Sequence, residues 1–407
     1  MKICAIICEY NPFHNGHKYL LEQARKLSGC DALLCIMSAS FTQRGEAAVL
    51  PKFMRAEHAV LGGADCVIQL PAAFSVAPAE IFAQGAVSIL KSIPAVKTLA
   101  FGSEVADGAA IEKAAEIFYD MNVEGNGNFR IDEIIEKHLA GGQSYKRSLA
   151  LALEELGAKN SLVTSPNGIL AIEYARAIKK LGANIEILPI ERVGAGYGDV
   201  VLKDNFSSAS AIRANLNSAA VAGNVPQYVL QPLKEVDIKG SKDRLDCLIR
   251  YALASADKRD MMRIFGCTEG LENKLKSDTA LPAEEIIAKA TSKRYTSSRI
   301  RRILIANMLG LYSDDTKRYI KEGTYIKPLA VRENLKAYIL AELAKSSLPV
   351  IIKKMSLAAI SAPCKRKYDL PKSSAEKCYA SDRHADFVRA LICGEEPEYD
   401  FTLKVVK

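Results

Sequence analysis

An apolar run over Lys2–Glu9 leads through a short turn into an amphipathic helical pattern, and the turn carries two histidines. The turn is Tyr10–His17, with the sequence YNPFHNGH. A buried strand followed by a turn and a helix is the opening unit of an α/β fold. This feature therefore predicts a parallel sheet whose first strand ends beside His14 and His17.

The two histidines predict a site for a nucleotide. His14 and His17 are three residues apart, so one helical turn brings both rings to the same side. Gly16 lets the backbone come close to a phosphate, and the free N–H groups of a helix start attract an anion. Two imidazoles there can neutralise the charge that develops when a nucleoside triphosphate is cleaved. The ordinary alternative is a pair of surface or core polar residues.

The first half of the chain alternates between strand and helix patterns, which predicts an α/β class with a parallel sheet and helices on both faces. Ligands of such sheets bind beyond the carboxyl ends of the strands. The predicted strands are Lys2–Glu9, Asp31–Ser38, Asp65–Leu70, Val96–Phe101 and Asn184–Ile190, and the predicted helices are Gly16–Leu27, Lys52–Gly62, Pro78–Ser92, Gly108–Tyr119 and Ile169–Leu181.

Polar segments follow several of these strands. Arg44 lies in the loop after the second strand, where its guanidinium can bind a phosphate or a carboxylate through two hydrogen bonds. Gly102 offers a close backbone approach beside the Ser103 hydroxyl, and Asn167 begins a helix that Ser165 can cap. Each segment is also typical of an ordinary loop. In an ordinary loop after the second strand, Arg44 would pair with a neighbouring glutamate.

Two more segments suit a phosphate group. Arg192 lies beside a glycine-rich stretch after the fifth strand. Ser207 and Ser208 stand at a helix start with Arg213 one turn further along, an arrangement that can hold the β- and γ-phosphates of a triphosphate. The alternative for this segment is a serine cap with a solvent-exposed arginine.

The positive charge of the chain belongs to its second part. Residues 241–407 hold 32 Lys and Arg against 22 Asp and Glu, whereas residues 1–240 hold 23 against 25. This asymmetry predicts a catalytic domain over residues 1–238 and a basic, mainly helical domain over 239–407 that meets a polyanion. The helical patterns of the second part are Arg244–Ala254, Met261–Phe265, Glu284–Ala290, Ser298–Leu309, Asn334–Ala344 and Ala375–Leu391, with short extended runs at Tyr325–Val331 and Pro349–Lys353.

The densest basic run is Lys293–Arg302, and the sequence has no acidic residue from Ile286 to Ser313. The absence of counter-charges favours contact with an RNA backbone over an ordinary solvated face. Lys365–Lys367 forms a second, weaker basic patch.

Other classes of protein fit the sequence poorly. It has no run of eighteen apolar residues, so we expect no membrane span, and the N-terminal apolar run lacks the flanks of a signal peptide. The ten cysteines include no C-x-x-C pair, so neither a zinc ribbon nor a redox pair is indicated, and we predict no metal site built by the protein. Scattered cysteines favour a reducing, cytoplasmic compartment.

Taken together and in this order, the motifs resemble the bacterial tRNA(Met) cytidine acetate ligase family, a branch of the HIGH-motif nucleotidyltransferase superfamily. The resemblance spans nearly the whole chain. It rests on Glu9–His17, Ser38–Glu46, Gly63–Asp65 with Leu70-Pro71, Phe101–Glu104, Ser165–Asn167 and Tyr295–Arg302.

The resemblance implies a Rossmann-like nucleotidyltransferase sheet and an ATP-dependent ligase. ATP and acetate would give acetyl-adenylate and pyrophosphate, and the acetyl group would pass to N4 of the wobble cytidine 34 of elongator tRNA(Met). Magnesium would accompany ATP. His14 and His17 would be catalytic, Arg44 would bind substrate, and the basic run would bind tRNA through Lys293, Arg294, Arg299, Arg301 and Arg302.

The same resemblance implies an ATP site formed by the histidine turn, the two segments that flank Gly102 and Asn167, and the phosphate-binding residues of the later loops. Its members would be Ile7, Cys8, Glu9, Tyr10, Asn11, Pro12, Phe13, His14, Asn15, Gly16, His17, Lys18, Tyr19, Leu20, Gly102, Asn167, Arg192, Ser207, Ser208 and Arg213.

The chain departs from the family pattern at a few positions. Gln69 stands where the family tends to have an acid, and Gly198 stands where a histidine is usual. Two other functions remain open on the sequence alone. One is an adenylyltransferase that acts on a small phosphorylated metabolite, and the other is a tRNA-binding protein without turnover, against which both histidines, Arg44 and Ser207–Arg213 argue.

Overall fold

The fold is seen in a computed structural model that describes residues 1–120, 129–143, 145–159, 161–193, 202, 205–292, 294–353, 372–398 and 400–407. Its centre is a seven-stranded sheet. The strands are β1 Ile3–Cys8, β2 Ala32–Ser38, β3 Cys66–Leu70, β4 Val96–Ser103, β5 Glu186–Glu191, β6 Pro328–Arg332 and β7 Lys404–Val406.

The sheet order is β5-β4-β1-β2-β3-β6-β7, and the first five strands are parallel to one another. The chain runs outward from β1 through β2 to β3 and then returns to the other side of β1 to form β4. Ligands of open α/β sheets bind at such a reversal, beyond the carboxyl ends of the strands. The histidine turn follows β1 and therefore stands at this point.

Helices cover the sheet and build the second half of the chain. Those in the first half are α1 Asn15–Ser28, α2 Lys52–Leu61, α3 Ala72–Ser75, α4 Ala79–Lys91, α5 Gly108–Asp120, α6 Phe129–Ala140, α7 Tyr145–Glu155, α8 Ser161–Thr164, α9 Pro166–Leu181, α10 Ala209–Ala214 and α11 Gln227–Leu233. Those in the second half are α12 Ile238–Ser255, α13 Lys258–Met262, α14 Leu271–Ser277, α15 Ala283–Ala290, α16 Ser297–Leu309, α17 Ser313–Glu322, α18 Lys336–Leu343 and α19 Lys372–Cys393.

Local sequence explains where the helices nearest the sheet reversal begin and end. The imidazole of His14 accepts the Gly16 N–H at the start of α1, and the Ser165 hydroxyl accepts the Gly168 N–H at the start of α9. Gly29 and Gly182 follow these helices with φ of 55° and 59°, a backbone conformation that suits glycine. The two helices thus start at fixed points beside the ends of β1 and β4.

The five strands predicted for the first half are confirmed, and so is the α/β class. The second half contributes β6, which pairs antiparallel with β3, and β7, which pairs with β6. β7 is three residues long and mostly exposed, so it leaves no periodic signal in the sequence. The predicted boundary at residues 238–241 falls in the first turn of α12, and the sheet draws strands from both sides of that boundary.

In the part of the chain that the structure describes, none of the helices has the length and apolar character needed to cross a membrane.

Candidate active site

A cleft of about 230 Å³ opens at the carboxyl ends of β1 and β4, and we call it the β1/β4 cleft. Its walls come from the histidine turn, the loop after β2, the start of α9, the end of β5 and the segment before α10. The predicted site residues that line it are Ile7, Cys8, Glu9, Tyr10, Asn11, His14, Gly16, His17, Tyr19, Leu20, Arg44, Gly102, Asn167, Arg192, Ser207, Ser208 and Arg213.

The rings of His14 and His17 stack face to face, with centroids 3.6 Å apart. Nδ1 of His14 accepts the Gly16 N–H at 3.1 Å, and Nδ1 of His17 accepts the His14 N–H at 3.3 Å. When Nδ1 accepts, the proton of a neutral imidazole lies on Nε2. Each ring is therefore oriented by the backbone of its own turn and carries an Nε2–H donor.

Both imidazoles are neutral near pH 7. Burial, helped by the charges of Arg192 and Arg213, lowers the pKa of His14 to about 3. Burial also holds the pKa of His17 well below its usual range, and His14 and Arg192 add to that effect. The pair thus offers hydrogen-bond donors to an anion without bringing positive charge of its own into the cleft.

Arg55, which the sequence analysis missed, holds the strand ends in place. Its guanidinium is buried and donates to the carbonyl oxygens of Glu9 at 2.7 Å and Ser38 at 3.0 Å, and also to that of Ala39. These carbonyls lie directly after β1 and at the end of β2. One side chain therefore ties together the two strand ends from which the histidine turn and the Arg44 loop leave.

The carboxylate of Glu9 connects the same two segments. Its Oε1 accepts the Gln43 N–H at 2.6 Å. Burial raises its pKa above the ordinary range, against the effect of that hydrogen bond. Glu9 is thus an acidic group at the floor of a cleft whose rim is rich in arginine.

Three arginines surround the histidines. Arg213 donates to the Asn11 carbonyl at 2.7 Å and pairs with Glu46 at 2.5 Å, and Arg44 donates to the Ser210 hydroxyl at 2.6 Å. Glu46, the neighbouring glutamate of the sequence-based alternative for Arg44, pairs with Arg213.

Arg192 enters from the end of β5. Its Nε lies 3.8 Å from Glu104 Oε1, and Glu104 also accepts the Asn167 amide at 2.6 Å and the Ser165 hydroxyl at 2.8 Å. A Cβ on Gly102 would stand 3.2 Å from the Arg192 side chain. Glycine at this position therefore leaves room for Arg192 to lie across β4, beside the cleft.

Ser207 and Ser208 lie at the start of α10. The Ser207 N–H donates to the Asn224 side chain at 2.7 Å, and the Ser208 hydroxyl caps the helix by accepting the Ala211 N–H at 3.1 Å. The sequence-based alternative of a serine cap is therefore correct for Ser208, although Arg213 of the same helix faces the cleft and not solvent.

Four predicted ATP-binding residues lie outside the cleft lining: Pro12, Phe13, Asn15 and Lys18. Phe13 is buried against Gly62, where a Cβ would stand 2.2 Å from the ring. Asn15 donates to the carbonyls of Asn205 and Gly223, which fixes the segment before α10 against α1. Phe13 and Asn15 thus support the turn from outside the cleft, whereas Lys18 is exposed and pairs with Glu22.

The basic run folds at the start of α16, with Thr296 as its cap. Arg294 pairs with Glu269, and Arg301 pairs with Glu284 through two contacts of 2.6 Å. The expectation that this run lacks counter-charges is therefore wrong, because acids distant in sequence reach it. Arg299 donates to the Gly266 carbonyl at 2.7 Å. Lys293 lies outside the described residues, as do Gly198 and the patch 365–367.

Arg302 joins the basic helix to the loop after β2. Its Nη1 donates to the Gln43 carbonyl at 3.1 Å, and a Cβ on Gly45 would stand only 2.7 Å from the Arg302 backbone nitrogen. Gly45 has φ of 74°, so glycine is required here both by conformation and by close approach. The predicted RNA-binding helix and the predicted substrate-binding loop are thus in direct contact.

A buried polar cluster, missed in the sequence, anchors the other side of that loop. Lys52 Nζ lies 2.6 Å from Asp386 and 2.7 Å from Asp400, and Asp386 also accepts the Ser40 hydroxyl at 2.5 Å. Burial opposes a charge on Lys52, but the two carboxylates outweigh it and raise its pKa above the usual range. Gln69 completes the cluster by accepting from Lys52 at 2.9 Å.

The only signal for this cluster in the sequence was polar residues inside otherwise apolar patterns, such as Lys52 at the start of α2 and Asp386 within α19. The partners are 334 and 348 residues apart from Lys52 along the chain. Such pairing depends on tertiary structure, which spacing along one helix does not encode.

Among the residues that the structure describes, no group of three or more His, Cys, Asp or Glu side chains is arranged to hold a metal ion.

Known proteins resemble this chain over most of its length. A sequence model described as HIGH Nucleotidyl Transferase matches residues 1–392. A tRNA(Met) cytidine acetate ligase of Thermoanaerobacter sp. (strain X514) is 35% identical over 366 residues, which are 87% of this chain and 89% of that protein. Its counterpart in Acetivibrio thermocellus is 32% identical over 390 residues, or 91% and 92% of the two chains.

Two solved structures share the fold. The apo crystal structure of Thermotoga maritima TmcAL matches with a TM-score of 0.87 and 26% identity, and covers 100% of both chains. A structure of TmcAL bound with alpha-thio ATP matches with a TM-score of 0.82 and 27% identity, over 99% of this chain and 97% of that one. On both sequence and fold, this chain belongs to the HIGH nucleotidyl transferase family and, within it, to the tRNA(Met) cytidine acetate ligases.

Proposed function

We propose that this protein activates acetate with ATP and acetylates N4 of the wobble cytidine 34 of elongator tRNA(Met). The observation that carries the proposal is the stacked pair of neutral imidazoles at the sheet reversal, with Arg44, Arg192 and Arg213 around it. The relatives named above are tRNA(Met) cytidine acetate ligases, and one structural neighbour binds an ATP analogue.

In the first step a carboxylate oxygen of acetate attacks the α-phosphorus of ATP. The bond between the α-phosphorus and the bridging oxygen breaks, pyrophosphate leaves, and acetyl-adenylate forms. The Nε2–H groups of His14 and His17 donate to the phosphate oxygens on which charge builds up. Ser207, Ser208 and Arg213 hold the outgoing phosphates. Arg44 holds the acetate carboxylate. Gly102, Asn167 and Arg192 bind the nucleoside side.

In the second step the N4 amine of the cytidine attacks the acetyl carbonyl carbon, AMP leaves, and N4 loses one proton. Catalysis in both steps consists of positioning and of electrostatic stabilisation, and neither step needs a covalent enzyme intermediate.

Magnesium enters this scheme with the triphosphate. The cleft holds the carboxylates of Glu9, Glu46 and Glu191 near its rim and floor. Mg²⁺ in nucleotide sites is usually held by one or two carboxylates together with phosphate oxygens, so one or two of these side chains would suffice for an ion that arrives as the ATP complex. When bound, the ion would supply neutralisation of phosphate charge.

The second half of the chain supplies the RNA surface in this proposal. Residues 1–238 form the catalytic domain, and residues 239–407 carry Lys293, Arg294, Arg299, Arg301 and Arg302 toward the tRNA. The cysteines that the structure describes are free thiols, which is consistent with a reducing compartment, and we place the reaction in the cytoplasm.

A transfer assay tests the proposal. Purified protein is mixed with ATP, Mg²⁺ and radiolabelled acetate, together with elongator tRNA(Met) or with a version whose wobble cytidine is replaced by uridine. Label in the first RNA alone is the expected result. Label in neither RNA, with pyrophosphate released in the presence of a phosphorylated metabolite, would contradict the proposal and identify an adenylyltransferase.

A further inference from the structure

A second cavity of about 370 Å³ lies next to the β1/β4 cleft, on the side of the basic helix. It shares Gln43, Arg44, Glu46 and Leu170 with the cleft, so the loop after β2 and the start of α9 form a common wall. Its volume lies within the range of pockets that hold small ligands. One ligand can therefore extend from the β1/β4 cleft into the second cavity.

The two sides of this second cavity differ in chemistry. One side presents Arg44, Arg301 and Arg302 with the hydroxyls of Ser297 and Ser298. The other side, at the starts of α4 and α9, presents the apolar residues Ala79, Pro166, Ile169 and Leu170, and Gln43 and Glu46 of the loop after β2 also line the cavity. Ile169 is 38% exposed although it is a large aliphatic residue. Cations beside apolar side chains suit a nucleotide, whose phosphate pairs with arginine and whose base packs on apolar groups.

The partner of Arg301 is easily exchanged. Arg301 pairs with Glu284, whose side chain is 70% exposed, and an ion pair in that setting contributes little to stability. A phosphate of a bound nucleotide can therefore replace that carboxylate with little loss of free energy. Arg301 lines the cavity, so a phosphate bound there would lie beside its side chain.

A close backbone contact fixes the loop that lies between the β1/β4 cleft and the second cavity. The backbone of Gly45 packs against the backbone of Arg301 and Arg302 so closely that no side chain fits at position 45. Arg302 also donates to the carbonyl of Gln43. Contacts with the basic helix therefore fix the loop that separates the two cavities, and with it the position of Arg44 between them.

We propose that the second cavity seats a nucleotide next to the target cytidine of the RNA acceptor. Its phosphate lies on Arg301 and Arg302 and its base on Ile169, while the cytidine itself passes beside Arg44 into the β1/β4 cleft. This inference rests on the proposed function, because it takes the acceptor to be a single-stranded stretch of RNA.

Photocrosslinking tests the location directly. Two anticodon stem-loop RNAs of the acceptor tRNA carry 4-thiouridine on one or the other side of the target cytidine, and a third carries it in the stem. After irradiation with the full-length protein, crosslinked peptides are identified by mass spectrometry. We expect one of the two loop positions, and not the stem position, to crosslink to peptides that contain residues 166–170 or 297–302. Crosslinks confined to other peptides would overturn the inference.

Kinetics provide a second readout. Arg301→Ala is expected to raise KM for the RNA about tenfold and to lower by about one the slope of log KM against log salt concentration, as the loss of a phosphate contact does. Arg259→Ala is the matched control, since Arg259 is 90% exposed in the same half of the chain and lines neither cavity. We expect it to change KM by less than about twofold.

The outcomes separate the two claims. If the wild-type protein transfers acetate to RNA but Arg301→Ala leaves both KM for RNA and its salt slope unchanged, the second cavity is not the nucleotide seat and the proposed function stands. If Arg301→Ala instead raises KM for acetate in acetate-dependent ATP–pyrophosphate exchange without RNA, the cavity serves the small acid. If wild-type protein transfers no acetate to RNA, the proposed function fails and this inference fails with it.

Discussion

At the scale of single residues, our proposal takes the histidines to act as neutral donors and not as cations. Their Nδ1 atoms are occupied by backbone N–H groups of the same turn, which leaves the Nε2–H groups for the ligand. A fixed neutral donor needs no reorganisation when negative charge appears on a phosphate, and that is the condition under which such groups stabilise a transition state most. The arginines around the pair supply the positive charge.

His17→Ala removes one of these donors, together with the acceptor of the His14 N–H at the start of α1. We expect kcat for acetate transfer to fall on the order of a hundredfold to a thousandfold, as for loss of one oriented donor. RNA affinity measured by filter binding should hardly change, because His17 lies in the cleft and away from α16. Lys26→Ala, an exposed position in the last turn of the same helix, is the control and should keep full activity.

The low pKa values make a separate prediction in NMR. In protein labelled at histidine, the ring signals of His14 and His17 should show no titration between pH 5 and 8, because burial lowers the pKa of His14 to about 3 and that of His17 well below its usual range. The unfolded chain takes up these protons near pH 6.5, so these two groups reduce the free energy of unfolding as pH falls below that value. A midpoint near 6.5 for either ring, assigned with His14→Gln and His17→Gln, would refute the neutral pair.

Sequence alone predicted both histidines, Arg44, Arg192 and Arg213, and the structure gathers these five around one cleft. It did not predict Arg55, because a buried arginine whose partners are backbone carbonyls has no distinctive neighbours in sequence. Nor did it predict that Glu46 pairs with Arg213, which is 167 residues away. A motif of neighbouring residues can be recognised in a sequence, whereas a contact between side chains of two separate loops cannot.

At the scale of elements, the loop after β2 is held from two sides. On one side Gly45 and Gln43 contact α16, and on the other Ser40 bonds to Asp386 of α19. Arg389, one turn further along α19, donates to the Ala48 carbonyl at 2.9 Å. The loop that carries Arg44 is thus positioned largely by helices of the second half of the chain.

Lys52→Met tests this anchoring. It removes the cation nearest to the buried Asp386 and Asp400. Lys327 stays 3.4 Å from Asp400 and Arg383 stays 3.6 Å from Asp386, so we expect the free energy of unfolding in urea to fall by at most about 3–5 kcal/mol. Converting both acids as well, in Lys52→Met/Asp386→Asn/Asp400→Asn, should restore part of that loss. Lys404→Met is the control, because Lys404 is a half-exposed partner of Glu57 at 4.0 Å and should change stability by less than about 1 kcal/mol. Equal stability of Lys52→Met and Lys404→Met would contradict the anchoring role.

The elements themselves were predictable where their patterns are long. The five parallel strands and the helices α1, α2, α4, α5 and α9 carry continuous apolar runs or clear helical spacing and were predicted. Helices α6 and α7, between β4 and β5, were not predicted. α17 was not predicted, since its sequence SDDTKRYIKE has few apolar positions and its burial rests on Thr316 and Tyr319. The antiparallel pairing of β6 with β3 was not predicted either, because a five-residue run does not specify its partner strand.

At the scale of the whole molecule, the two halves meet at the candidate site. The first half supplies the β1/β4 cleft, and the second half supplies the basic helix and the anchor of the Arg44 loop. The charge asymmetry in the sequence indicated a polyanion surface on the second half, but not that this surface adjoins the cleft. In our proposal, that adjacency allows one protein to activate an acid in the β1/β4 cleft and to receive an RNA nucleotide in the neighbouring cavity.

The central claim is that the β1/β4 cleft forms an acyl-adenylate from ATP and acetate. Exchange of radiolabelled pyrophosphate into ATP, measured without RNA, tests it most directly because only reversal of adenylate formation returns the label to ATP. We predict exchange by the wild-type protein that requires acetate and Mg²⁺ and that falls on the order of a hundredfold or more in His17→Ala. Exchange that proceeds equally well without acetate, or that is unaffected by His17→Ala, would contradict the account.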